Sequence, residues 1–307
     1  MTALTFSAPE EPYSFLGEAS SRLKSGEKVA MITLINVEGG SPYPVGTQML
    51  VFESGAYLGQ ITGGCAERAI ADHAVEALRK GKNRCIRYGA GSQYFDIQLP
   101  CGSGVDVLID VESTLSDYQK IVSVVRSRKV ARQELVADSN QTFSKLHIPS
   151  PRLILLGQGD ILAQSCNLAI AAGFEVAAIV NDEHTKSLVE RFEIKSNEFQ
   201  TRPEMSSVCD EFTGIVSLFH EHDLELDVLA EALSSSSFYI GALGSRKTHS
   251  ARIEHLRKKG LDEDCMARIH GPVGVNINSA SPRQIAVSII AEAVDKLNSQ
   301  IDALEQD

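Results

Sequence analysis

From residue 152 onward, short apolar runs alternate with helical patterns, and this alternation constrains the fold more than any other feature of the chain. Arg152 to Leu156, Glu175 to Val180, Gly214 to Leu218 and Phe238 to Ala242 read as strands, with helices expected after Gly159, Glu183, Leu224 and Ser245. Apolar strands separated by helix-length crossovers predict a parallel sheet of the α/β class. A last helix is announced by Ser281-Pro282-Arg283-Gln284. It offers an N-cap serine, a proline at the first helical position and a glutamine three residues after the cap.

The first half mixes strands and helices. Lys28 to Val37 is a β-branched apolar run, followed by the turn-rich stretch Glu38 to Gly46 and two shorter strands, Gln48 to Glu53 and Ala56 to Thr62. After Gly63-Gly64, Ala66, Ala69, Ile70, Ala74, Ala77 and Leu78 recur at helical spacing. Phe95, Ile97 and Leu99 alternate, as do Val105, Val107, Ile109 and Val111, which predicts a hairpin connected through Pro100 to Gly104. Periodicity fails between Ser139 and Pro151. The expected organisation is an N-terminal mixed α+β domain over 1–140, a linker at about 141–150, and a Rossmann-like parallel-sheet domain over 151–307; a length of 307 residues suits two domains of about 150 residues each.

Lysines and arginines number 29 against 40 acidic residues, a net charge of −11. No dense basic run offsets it, so nucleic acid is not an expected partner. No stretch reaches the roughly 18 apolar residues of a membrane span, and Met1 to Phe6 lacks a basic-then-apolar leader. The cysteines Cys65, Cys85, Cys101, Cys166, Cys209 and Cys265 form no CxxC pair. That pattern predicts neither a disulfide scaffold nor a zinc ribbon, and fits a reduced, cytoplasmic protein.

Three segments carry candidate chemistry. Leu155-Leu156-Gly157-Gln158-Gly159-Asp160 closes a strand and opens a helix, where glycines let backbone N–H groups approach a pyrophosphate. The match to a dinucleotide fingerprint is partial: Leu162 stands at the third glycine position, and Asn181-Asp182 follow the second strand. Gly241 to Lys247 repeats the strand-to-helix design, with Gly244, Ser245 and Arg246 suited to a phosphate or to plain capping. Gly63-Gly64-Cys65-Ala66-Glu67 sets a thiol at a helix start, which favours the thiolate. Cys65 is therefore a candidate nucleophile, metal ligand or sulfur carrier, and Glu67 a candidate proton handler. Cys101, with Gly102, sits in a second glycine-rich loop and reads the same way. His73 falls on the apolar stripe and reads as a core histidine, and His220-Glu221-His222 lacks a third nearby metal ligand.

These motifs in this order resemble the XdhC/CoxI family, accessory proteins for molybdenum hydroxylases such as xanthine dehydrogenase. The resemblance spans about Lys28 to Val294. It is carried by Gly39 to Met49, Ile61 to Glu67, Leu99-Pro100-Cys101-Gly102, Tyr239 to Arg246 and Pro272 to Glu292. It implies a chaperone that binds the molybdopterin cofactor transiently, protects it while it receives its terminal sulfido ligand, and hands it to the apo-enzyme, with a cysteine desulfurase as sulfur source. The cofactor contacts expected on that basis are Gly63, Gly64, Cys65, Glu67, Cys101, Gly102, Gly157, Gly159, Gly244, Ser245 and Arg246, with Cys65 and Cys101 toward the metal. A homodimer is expected, and a nucleotide in the Rossmann-like domain stays open. The chain departs from the family pattern at Tyr43, Ser103, Asp160, Asn276 and Asn278. Two rivals remain: an NAD(P)-dependent oxidoreductase using the Rossmann-like domain, and a thiol redox protein using Cys65 and Cys101.

Overall fold

The computed structural model describes residues 3–9, 15–94, 99, 102–137, 142–219 and 222–306, without the side chains of residues 222 and 223. The chain forms two compact units, Glu11–Pro149 and Met1–Glu10 together with Ser150–Asp307.

The first unit runs α1 (Phe15–Lys24), β1 (Val29–Glu38), β2 (Gln48–Phe52), β3 (Tyr57–Leu58), α2 (Glu67–Lys80), β4 (Arg84–Gly89), β5 (Gly104–Asp110), α3 (Leu115–Arg126), β6 (Ala131–Val136) and β7 (Thr142–His147). Five strands pair in the order β3-β2-β1-β5-β4, all antiparallel. Successive side chains on a strand point to opposite faces. Ala30, Ile32 and Leu34 of β1 therefore meet Ile70, Ala71, Ala74, Ala77 and Leu78 of α2 in one core. Val29 and Met31 turn the other way, into a core with Ala19 of α1 and Tyr118 of α3. A strand covered on both faces has no polar side, which is why Val29 to Leu34 of β1, all buried, read as an apolar run broken only by Thr33.

Two expectations are corrected by the strand pairing. The hairpin partner of β5 is β4, in the register Cys85↔Leu108 and Tyr88↔Val105. Residues 95–98 and 100–101 of the expected hairpin lie outside the described residues, and Leu99 is buried without being part of a strand. The expected linker contains β7, which pairs with β6 from Thr142↔Val136 to His147↔Ala131. Its short polar strand, Thr-Phe-Ser-Lys-Leu-His, buries little apolar surface, so no run marks it in the sequence.

The second unit runs β8 (Arg152–Gly157), α4 (Gly159–Ala171), β9 (Glu175–Val180), α5 (Glu183–Glu190), β10 (Ser196–Glu198), α6 (Met205–Val208), β11 (Thr213–Leu218), α7 (His222–Leu233), β12 (Tyr239–Ala242), α8 (Arg246–Lys258), α9 (Glu263–Met266), β13 (Ile269–His270) and α10 (Pro282–Gln306). The sheet order is β10-β9-β8-β11-β12-β13, all parallel. Counted within the unit this is 3-2-1-4-5-6, the Rossmann order, with the strand order reversing between β8 and β11. Leu153, Leu155, Val176 and Val216 face Leu162, Cys166, Ile289 and Ala293 of α4 and α10. Ile154, Leu156, Ile179 and Ile215 face Leu226, Leu229 and Leu233 of α7 and Leu256 of α8.

An N-terminal segment joins this unit. Ser7 bridges Val176, Thr5 N donates to Asn197 Oδ1 at 2.8 Å, and the Arg152 guanidinium lies 4.5 Å from the Phe6 ring centre. Among the described residues no helix is long and apolar enough to cross a membrane.

Candidate functional site

In the antiparallel-sheet unit the glycine loop is held from below by one carboxylate. Glu67, the first residue of α2, is 2% exposed. Its Oε1 accepts from Ile61 N at 2.9 Å and Thr62 N at 2.7 Å; its Oε2 accepts from the Thr62 hydroxyl at 2.7 Å and Ala66 N at 3.2 Å. The Thr62 hydroxyl accepts in turn from Ala66 N at 2.9 Å. Both ends of the loop are thus tied to one group, and Gly63, Gly64 and Cys65 are exposed between them. Gly63 and Gly64 adopt φ of 73° and 98°, where a Cβ is strained.

Burial, the largest single influence, pushes the Glu67 carboxyl up, but hydrogen bonds from Thr62 and Ile61 outweigh it and hold the group below its ordinary range. Fully engaged and ionised, Glu67 is placed to organise the loop. Sequence reasoning singled out Glu67 and missed Thr62: a capping box sets its hydroxyl three residues before the glutamate, whereas Thr62 lies five before it and Ala66 is the N-cap, so no local pattern marks the pair.

Gly63 and Ser103 each approach the loop that follows β1, at that end of the sheet. A Cβ on Gly63 would lie 3.4 Å from Pro42 Cγ, and one on Gly39 would lie 3.4 Å from Ser103 Cα. Arg87 clips this end together: its Nη1 donates to Asp106 at 3.0 Å and its Nε to the Ala90 carbonyl at 2.8 Å, and it also pairs with Glu38. Gly102 is exposed and Ser103 buried, and Cys101 lies outside the described residues. Tyr43 is half-buried, with its hydroxyl 3.2 Å from Gln60 Oε1. His73 is a core-boundary group, with Nδ1 2.6 Å from the Tyr88 hydroxyl.

In the Rossmann-type unit the glycine turn serves packing. A Cβ on Gly157 would come within 2.5 Å of the Leu218 backbone, so the close approach of β8 and β11 requires glycine there. The Gly159 N–H, one of those a pyrophosphate would take, donates to the Thr185 hydroxyl at 2.8 Å. Thr185 is held by Asp182, which caps α5 by accepting from Thr185 N at 2.8 Å and from its hydroxyl at 2.6 Å. Leu162 is fully buried at the third glycine position. With an N–H engaged, the acidic residue spent on a cap and a leucine in the third place, these residues do not fit a dinucleotide in the usual mode.

At the second turn Ser245 caps α8, accepting from Thr248 N at 3.1 Å, while Arg246 and Lys247 are exposed. Behind it lies an ion pair the sequence does not signal. Arg252, 1% exposed in its side chain, donates to Glu225 at 3.0 and 2.9 Å and to the Leu243 carbonyl at 2.6 Å. Ser217 of β11 donates to the same glutamate at 3.0 Å. Asn278 has φ 52° and Asn276 Oδ1 accepts from its N–H at 3.4 Å. Asparagine tolerates that left-handed conformation, so the departure from the family pattern at Asn278 is accommodated locally. No group of three or more His, Cys, Asp or Glu suited to a metal ion occurs among the described residues, which do not include Cys101 or His220.

Residues 22–89 match the family model described as XdhC and CoxI family, and residues 153–293 match that of the XdhC Rossmann domain. Over 302 residues the chain is 30% identical to the Molybdenum cofactor insertion chaperone PaoD of Escherichia coli (strain K12), covering 93% of this chain and 89% of that one. The chain belongs to the XdhC and CoxI family. Another relative of this XdhC and CoxI family member comes from Bacillus subtilis (strain 168) and is named a probable xanthine dehydrogenase subunit; it is 24% identical over 322 residues, or 89% of this chain and 94% of that one. A solved structure from Bacillus halodurans, named a xanthine dehydrogenase, shares the fold with a TM-score of 0.70 at 19% identity, covering 94% of this XdhC and CoxI chain and 96% of that one.

Proposed function

We propose that this protein is a cytoplasmic accessory chaperone that binds the molybdopterin cofactor transiently, aids its sulfuration and delivers it to a xanthine dehydrogenase-type molybdenum hydroxylase. The observation that carries this reading is the exposed Cys65 thiol, displayed on a glycine loop whose two ends are tied to Glu67. A sulfur ligand presented at a fixed, solvent-facing point suits a cargo that must be received and released. In this reading Cys65 and Cys101 face the metal or its sulfur, and Gly63, Gly64 and Gly102 let the backbone approach the cargo. A cysteine desulfurase supplies the sulfur, and a homodimer shields the bound cofactor. The relative named a molybdenum cofactor insertion chaperone supports the assignment, because the likeness extends over nearly the whole of both chains. No turnover chemistry is required of the protein itself.

The test is the content of protein purified anaerobically from a host that makes molybdopterin. Molybdenum is measured by mass spectrometry and pterin by fluorescence after oxidation, with Cys65→Ala in parallel. Near-stoichiometric pterin and metal, both reduced in the variant, are expected. Protein free of both that instead binds NAD tightly and transfers hydride would overturn the reading in favour of an oxidoreductase.

A further inference from the structure

We propose that the Rossmann-type unit carries a ring-binding cleft of about 580 Å³, lined by Asn181, Phe199, Arg202, Glu204, Leu224 and Glu231. It takes a planar nitrogen heterocycle that presents an N–H donor beside a hydrogen-bond acceptor.

The cleft lies where this fold places ligands. Asn181 directly follows Val180, the last residue of β9, at the carboxyl edge of the parallel sheet. Leu224 and Glu231 belong to α7, the helix after β11. Ligands of open α/β sheets bind outside the carboxyl ends of the strands. The volume falls in the range of about 300–1,000 Å³ common to small-molecule pockets.

Its walls hold unused hydrogen-bonding capacity. Asn181 Oδ1 and Arg202 Nε are buried without a hydrogen-bond partner, and both residues line this cleft. One atom is an acceptor and the other a donor. Buried polar atoms are nearly always paired, so each calls for a complementary group. Arg202 has no freedom to satisfy its own Nε elsewhere. Its Nη1 and Nη2 are held by the Glu231 carboxylate at 2.7 and 3.0 Å, and that carboxylate also accepts from Met205 N at 3.1 Å.

Shape and charge select the ligand further. Phe199 supplies a flat wall, steadied by the Arg202 guanidinium 4.9 Å from its ring centre and by a near-perpendicular contact with the Phe219 ring, 5.3 Å between ring centres. The charge of Arg202 is met by Glu231, and Glu204 adds a negative one, so the cleft offers no surplus cation to a phosphate. A neutral ring with a donor–acceptor edge offers a complement to each unpartnered atom.

Pterins and nucleobases share that edge. Choosing a pterin rests on the maturation reading above; the cleft itself does not. The full chain is titrated with 6-hydroxymethylpterin, followed by its fluorescence, and separately with guanosine and cytidine by calorimetry. Binding of the pterin alone identifies the cofactor's ring as ligand, and binding of a nucleoside identifies a nucleotide base. In either case Asn181→Leu is expected to weaken binding about 10-fold or more, while Asn181→Asp, which keeps acceptor oxygens in place, retains it. No binding of any of the three probes, or binding that Asn181→Leu leaves unchanged, overturns the inference. Should Asn181→Leu fail to fold, Phe199→Ala removes the flat wall and is read in the same way. A negative result here leaves the molybdenum and pterin content of the purified protein to judge the maturation reading alone.

Discussion

Thr62 donates twice to Glu67, from its backbone N–H to Oε1 at 2.7 Å and from its hydroxyl to Oε2 at 2.7 Å. Because the same carboxylate also receives Ala66 N, the three exposed residues Gly63, Gly64 and Cys65 hang between fixed points. The loop's geometry is therefore a property of a buried charge and its donors, and it can be loosened without touching the thiol.

Glu67→Gln replaces acceptor capacity with an NH₂ that faces existing donors. It should destabilise the antiparallel-sheet unit by about 1–3 kcal/mol, read from urea denaturation at pH 7. The carboxyl is held below its ordinary value in the folded state, so its contribution is present above the unfolded value of about 4.3 and is lost as pH falls through the folded one. Wild-type stability should therefore drop more steeply than that of Glu67→Gln below about pH 4.3. Parallel acid curves for the two proteins would contradict this role.

Alkylation should rank the described thiols by exposure. Cys65 is exposed, whereas Cys166 is fully buried and Cys209 is partly covered. Burial pushes the Cys209 thiol up to about 12 and raises Cys166 further still. Peptide mapping after brief iodoacetamide treatment at pH 8 should find Cys65 modified first and Cys166 only after unfolding. Cys65→Ala should leave stability within about 0.5 kcal/mol of wild type, because an exposed side chain away from the core is removed.

The Arg252–Glu225 pair predicts a strong asymmetry between single and double substitutions. Glu225→Ala leaves a guanidinium in a site where both partners are 1% exposed, and should cost about 3–5 kcal/mol. Glu225→Leu combined with Arg252→Met removes both charges and should recover much of that loss in urea denaturation. A double variant no more stable than the single one would mean that the pair's bonds to Leu243 and Ser217 dominate.

His147 on β7 sets a second pH dependence. Burial, helped by Lys145, lowers its imidazole to about 4, and its Nε2 lies 3.0 Å from Gln133 Oε1 on β6. The folded state thus resists protonation, and stability present above the unfolded value of about 6.5 is lost as pH falls toward 4. A histidine NMR titration should find the His147 ring neutral at pH 5.5. A ring that titrates near its ordinary value would refute the burial argument.

Much of the fold was legible from residue order, because burial imposes a period. Strand segments covered on both faces, such as Val29 to Leu34 of β1 and Leu153 to Leu156 of β8, are almost wholly apolar, and α2 must repeat its apolar residues at three and four. The strand β7 was not legible: its six residues bury little, and pairing with β6 is a backbone matter that side chains do not announce. Nor was the identity of the hairpin partner of β5, since alternation marks a strand without naming what it pairs with.

At the candidate site, the sequence by itself determined residue types at local spacing: a thiol after two glycines at a helix start, a serine cap before α8, and a glycine turn closing β8. Only the tertiary structure decided what those groups do. It turned Glu67 toward the loop, gave the Gly159 N–H to Thr185, and set Arg252 against Glu225 from 27 residues away. It also brought Asn181, marked in the sequence only by its place after the second strand, and Arg202, not marked at all, to one cleft with a buried acceptor and a buried donor unpartnered. Hydrogen bonding and burial act between groups close in space, and chain order encodes that closeness only within a turn of helix or across a tight loop.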